Sequence, residues 1–120
     1  MIRQYNKIAF LDYSSNPITL NNNKVDINLS FNPSKLIIVV SSIKYSNNPG
    51  WITTNLIPLP IENSIYEHDK NGFYYHRTGS GEYWKGLIES FDKNKITWSE
   101  KENVNTNSRG IGIFYIIAIE

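Results

Sequence analysis

Residues 25–40, VDINLSFNPSKLIIVV, decide how this chain folds. In the first half Val25, Ile27, Leu29 and Phe31 are apolar, while Asp26, Asn28 and Ser30 are polar. Neighbouring residues of a strand point to opposite faces, so this alternation predicts a strand with one dry and one wet face. After Asn32-Pro33-Ser34 comes an unbroken apolar run, Leu36-Ile37-Ile38-Val39-Val40. It is short and β-branched, which predicts a strand buried on both sides rather than a helix. A wet-faced strand followed by a doubly apolar one predicts a two-layer β-structure.

The rest of the chain agrees. There are 18 Ile but only two Ala, Ala9 and Ala118, among 120 residues. Ala is the best helix former, and Ile favours strands. Strands are expected over Lys7–Tyr13, Trp51–Leu59, Phe73–Arg77, Tyr83–Phe91, Lys95–Ser99 and Gly112–Ile119, with a short edge at Ile18–Leu20. Turn signals separate them: Asn21-Asn22-Asn23, Ser46-Asn47-Asn48-Pro49-Gly50, Asp69-Lys70-Asn71-Gly72, Thr78-Gly79-Ser80-Gly81 and Asp92-Lys93-Asn94. Residues 61–70 and the polar stretch 100–110 read as loops. About eight short strands at this spacing predict an all-β antiparallel β-sandwich with little or no helix, in a single domain over residues 1–120.

Charge and composition exclude several roles. The net charge is +1, so no field draws nucleic acid or an anionic membrane. Lys70, Arg77 and Lys85 are offset by Glu67, Asp69 and Glu82, which denies a basic groove for single strands. With no cysteine, thiolate chemistry and disulfides are impossible. The apolar run Ile8–Leu11 is too short for a secretory leader, and nothing is long enough to span a membrane. Asn28-Leu29-Ser30 is a formal glycosylation sequon, placed in a predicted strand.

No catalytic signature stands out. His68 and His76 lie across a predicted turn, but a metal needs three or four converging ligands. No serine sits in a G-x-S-x-G elbow. Gly79-Ser80-Gly81 joins two strands and is followed by Trp84 where a phosphate loop needs glycine, so it reads as a hairpin turn. No cofactor or metal is expected. The notable cluster is aromatic: Phe73-Tyr74-Tyr75-His76-Arg77, then Tyr83-Trp84. By strand parity Phe73, Tyr75 and Arg77 share one face, and Tyr74 and His76 the other. One set can fill the core while the other lies exposed, where Tyr and Trp bind sugars or proteins at low entropic cost. The candidate ligand-binding residues are Trp51, Tyr74, Tyr75, His76, Tyr83 and Trp84; Trp98, beside Ile96, is expected in the core.

Two motifs carry a family likeness. Phe31, Pro33, Leu36 and Ile38 form an "F-x-P-x-x-(I/V)-x-(I/V)" strand entry. Asn107, Tyr115 and Ile117-Ala118-Ile119-Glu120 form an Asn-containing loop and a closing "Y-x-x-I-A-I-E"-like strand, after Lys95-Ile96-Thr97-Trp98-Ser99. In these the chain resembles small β-sandwich domains of bacteriophage and prophage tails, of receptor-binding and tail-fibre type. Similar sandwiches occur in H-type lectins, which are trimeric sugar binders. The resemblance implies a non-enzymatic virion structural or host-recognition module in the virion tail, made in the bacterial host cytoplasm. Other tail proteins and a cell-surface glycan are the implied partners, and a homotrimer the implied assembly. A lectin-like carbohydrate-binding domain is the alternative. The apolar runs 36–40 and 116–119 also predict an oligomer, because an isolated two-layer sandwich leaves one face of each in solvent.

Overall fold

The structure, a computed structural model, describes residues 7–43, 52–62, 70–77, 79, 81–106 and 110–120. Among these residues the chain forms nine strands and one 3-10 turn, Leu20–Asn22. The strands are β1 (Ile8–Asp12), β2 (Ile18–Thr19), β3 (Lys24–Asp26), β4 (Lys35–Ser42), β5 (Thr53–Pro58), β6 (Gly72–Arg77), β7 (Glu82–Phe91), β8 (Lys95–Val104) and β9 (Ile111–Ile119). They build the expected antiparallel β-sandwich. The first sheet has the order β1-β9-β4-β5, with β2 also on β9; the second has the order β3-β8-β7-β6.

The first half of the opening stretch departs from expectation in its pairing. Burial alternates from Val25 through Pro33, but pairing in β3 stops at Asp26. The reason is its partner: Asp26 faces Lys95, where β8 begins, so no further ladder is available. Beyond it the Ile27 and Leu29 amides donate to the Asn94 and Lys93 carbonyls, at 2.8 and 2.9 Å. Residues 27–33 are thus an extended crossing between sheets. Ser34 ends it by donating its amide to Ile119 O at 2.7 Å.

That hydrogen bond delivers β4 to the middle of the first sheet, between β9 and β5. Leu36, Ile38 and Val40 are buried, while Ile37 and Val39 are only half-buried. The expectation of a strand buried on both sides therefore holds for one face only. Facing β4 across the core, the second sheet contributes Phe73, Tyr75, Trp84, Ile88, Ile96 and Trp98. Phe73 stands edge-on to both Trp84 and Trp98, with ring centroids 5.0 and 5.9 Å away. Such pairs contribute beyond area burial. The Trp98 indole N–H also donates to Leu20 O at 2.7 Å, which satisfies its polar tip.

The polar stretch expected to be loop from residue 100 is strand as far as Val104. Its side chains are exposed, so no apolar signal marks it. Its backbone is ordered by β7 instead, with Lys85 opposite Glu102 and Tyr83 opposite Val104. The Lys70–Gly72 signal is a turn into β6 but not a hairpin turn, since β5 and β6 belong to different sheets; Asp69 lies outside the described residues.

Side chains, not a ladder, tie the edges β5 and β6 together. Asn55 is buried; its amide nitrogen donates to Tyr74 O at 3.0 Å and its oxygen accepts from Tyr74 N at 2.9 Å. Next to it Thr53 Oγ1 accepts from the His76 amide at 3.2 Å. One amide side chain thereby imitates a strand partner and covers the edge of β6. Asn55→Ala leaves both Tyr74 backbone groups without partners and should destabilise the fold by about 2–3 kcal/mol in urea denaturation. Asn55→Asp should be no better, because a carboxylate cannot donate to Tyr74 O.

Candidate functional site

The β6–β7 hairpin places the candidate residues. Alternation turns Phe73, Tyr75 and Trp84 inward and leaves Tyr74, His76 and Tyr83 on the outer face of the second sheet. Register puts His76 opposite Tyr83 and Tyr74 opposite Lys85. The His76 and Tyr83 rings lie 6.2 Å apart, and Tyr74 and Tyr83 lie 6.3 Å apart. Lys85 Nζ sits 5.9 Å from the Tyr74 ring centroid, within reach of its negative face. On the neighbouring strand Glu102 and Val104 extend the patch. The result is an open surface of aromatic rings bordered by one cation and one anion.

Two of the six candidates fall elsewhere, and this narrows the sequence expectation. Tyr75 is 1 % exposed and Trp84 is 3 % exposed, so both are core side chains that take no part in the outer patch; Trp84 borders a cleft on the inner side instead. Tyr75 manages burial because its hydroxyl donates to Glu82 Oε2 at 3.2 Å. The same carboxylate lies 3.7 Å from the Arg77 guanidinium, so the inward end of the hairpin is a buried polar cluster. Trp84 manages it because Gly86, two residues on and on the same face, has no side chain. A Cβ there would overlap the indole. Gly86→Ala should therefore cost about 1–3 kcal/mol, read as a lowered midpoint in thermal melts. Trp51 and His68 lie outside the described residues.

Sequence reasoning missed Glu102 and Val104 because it read them as loop. Only the β7–β8 register brings them beside Tyr83. On the inner face of the same end of β8, Thr19, Trp84, Glu100, Asn103 and Thr106 line a shallow cleft of about 190 Å³ between the sheets. Thr106, buried there, donates to Asn103 Oδ1. Among the described residues no three His, Asp or Glu side chains converge as a metal site would require. Compared with family models, curated proteins and solved structures, the chain finds no significant match.

The electrostatics of the aromatic patch follow from its packing. Partial burial, and after it the Glu102 carboxylate, push the Tyr83 hydroxyl above the ordinary tyrosine value of 10.0. Burial alone raises Tyr13 in the same direction. Both phenols are neutral donors at physiological pH. A pKa raised on folding gives stability that is present below the unfolded value and lost as pH rises through the folded one. Thermal midpoints should therefore fall as pH climbs from about 10 upward, and Tyr83→Phe should shallow that fall.

What this patch can do is bind. Tyrosine and histidine rings offer flat apolar faces, while the phenol hydroxyls, imidazole, ammonium and carboxylate offer hydrogen bonds around them. That combination suits a ring with one apolar face and hydroxyls at its rim.

Proposed function

We propose that this chain is a non-enzymatic tail-associated module of a phage or prophage, one that combines structural assembly with host recognition. The observation that carries the reading is the contrast between the two outer faces of the sandwich. The second sheet presents Tyr74, His76 and Tyr83 with Lys85 and Glu102; the first presents an apolar surface with Phe10, Ile37, Ile117 and Leu56. One face suits recognition, the other assembly with copies of itself or with neighbouring tail proteins. The strand-entry and closing-strand likeness supports the tail assignment. In this reading the protein works in the virion tail after synthesis in the host cytoplasm.

A specific observation also favours the lectin-like reading. Sugars stack on tyrosine rings, and the ring pairs at 6.2 and 6.3 Å, inclined at 72° and 41°, make a contiguous aromatic cluster. Cell-surface glycan is then the ligand, and Tyr74, His76 and Tyr83 carry the contact.

Glycan arrays and binding to intact host-type bacteria test recognition directly. Tyr74→Ala and Tyr83→Ala should each weaken binding about tenfold, close to 1.4 kcal/mol, without changing the thermal midpoint by more than a few degrees. No binding to any glycan or cell would remove the recognition half. Genes for tail proteins should flank this one; a neighbourhood without them would remove the tail assignment.

A further inference from the structure

The outer face of the first sheet has an arrangement that complements itself. Phe10, Ile117, Ile37 and Leu56 stand in register across all four main strands. The ends of this apolar row are wide open, with Phe10 59 % and Leu56 61 % exposed. On one side runs the row Ile8, Ile119, Lys35 and Pro58; on the other runs Asp12, Tyr115, Val39 and Thr54. The Phe10 and Tyr115 rings lie 5.3 Å apart, so the rows pack into one surface. Within these rows Lys35 and Asp12 are the charged residues, in different rows and on different strands. Strands lie about 4.8 Å apart and same-face neighbours about 6.8 Å apart, which sets the two charges about 17 Å from each other with Ile117 midway.

We infer that this face is a self-association surface, on which a second copy of the chain docks about a two-fold axis passing over Ile117. The inference rests on the assembly half of the function proposed above and gives it a site and a symmetry. A two-fold through that midpoint, at right angles to the line joining the charges, brings Asp12 of each copy over Lys35 of the other. The same operation lays Ile37 against Tyr115 and Leu56 against Val39, apolar on apolar. The strands of the two copies then cross at about 70°, nearer to the orthogonal than to the aligned way in which sheets stack. The Ser14 hydroxyl, and after it the Ser14 amide, which donates to Oδ1 at 2.8 Å, hold the Asp12 carboxyl below its ordinary value of 3.8.

Symmetry and size define the kind of contact. A face that meets itself is isologous and gives a pair, whereas the three-fold ring implied by the family likeness joins unlike surfaces. Four strands about 19 Å wide and a similar length along them bury roughly 800 Å² in total, the scale of a weak contact rather than an obligate one. The charges at such a rim set register and partner choice more than affinity.

Sedimentation of the full chain from about 10 µM to about 500 µM tests this, since a contact of this size dissociates in that range. A reversible monomer–dimer equilibrium is expected, lost in Leu56→Glu. Asp12→Lys and Lys35→Asp should each weaken dimerisation about tenfold, and the doubly swapped chain should return to within about threefold of the original. Circular dichroism checks that every variant is folded. A monomer at all concentrations, or a dimer indifferent to Leu56→Glu, overturns the inference. So do charge swaps that fail to rescue each other. A trimer overturns this face while sparing the assembly reading, and glycan binding stands or falls separately.

Discussion

The amide of Asn55 holds the backbone of Tyr74 at both its donor and its acceptor. Two sheets facing each other across a core are otherwise free to slide or splay along an edge where no ladder joins them. Here one planar group offers one N–H and one C=O in the spacing a strand partner would, and the Thr53 hydroxyl beside it takes the His76 amide. Together they fix β6 against β5, and β6 fixes the parity of the hairpin. Tyr74 and His76 face outward because Phe73 and Tyr75 face the core, and they stay there because the edge cannot roll. The aromatic patch therefore depends on a polar contact on its own backbone, at the margin of the fold.

Much of this was legible in residues 25–40. Alternation over Val25–Phe31 correctly separates buried from exposed side chains, even where the segment has ceased to be a paired strand. Alternation reports which side faces the core, and a crossing segment laid along the end of a sandwich obeys it as well as a strand does. What the pattern cannot report is the partner, so the end of β3 at Asp26 was hidden. The same limit concealed residues 100–104, whose side chains are all exposed. Their order comes from hydrogen bonds to β7, and hydrogen bonds leave no mark on side-chain composition.

The candidate site was legible by face but not by burial. Parity sorted Phe73, Tyr75 and Arg77 from Tyr74 and His76. It was silent on which set meets the core, and it gave no reason to set aside Trp84. The clue was Gly86, two residues further along: a glycine on the face of a bulky indole marks space vacated for that ring. The Tyr75 hydroxyl likewise needed Glu82, seven residues away, to be tolerable inside. Both signals are pairwise, and each has meaning only once the hairpin register is known.

The outer end of the β7–β8 ribbon has an evolutionary consequence. Glu102 and Val104 pair with β7 through the backbone, yet their exposed side chains point outward beside Lys85 and Tyr83. Residues so placed carry little packing duty, so substitutions there are nearly neutral for stability. They nevertheless border Tyr83. Selection can thus rewrite the margin of the aromatic patch, by changes at Glu102 or Val104, without first having to repair the fold. On the proposed host-recognition reading, this ribbon is a ready supply of variation, kept apart from the residues that hold the sandwich closed.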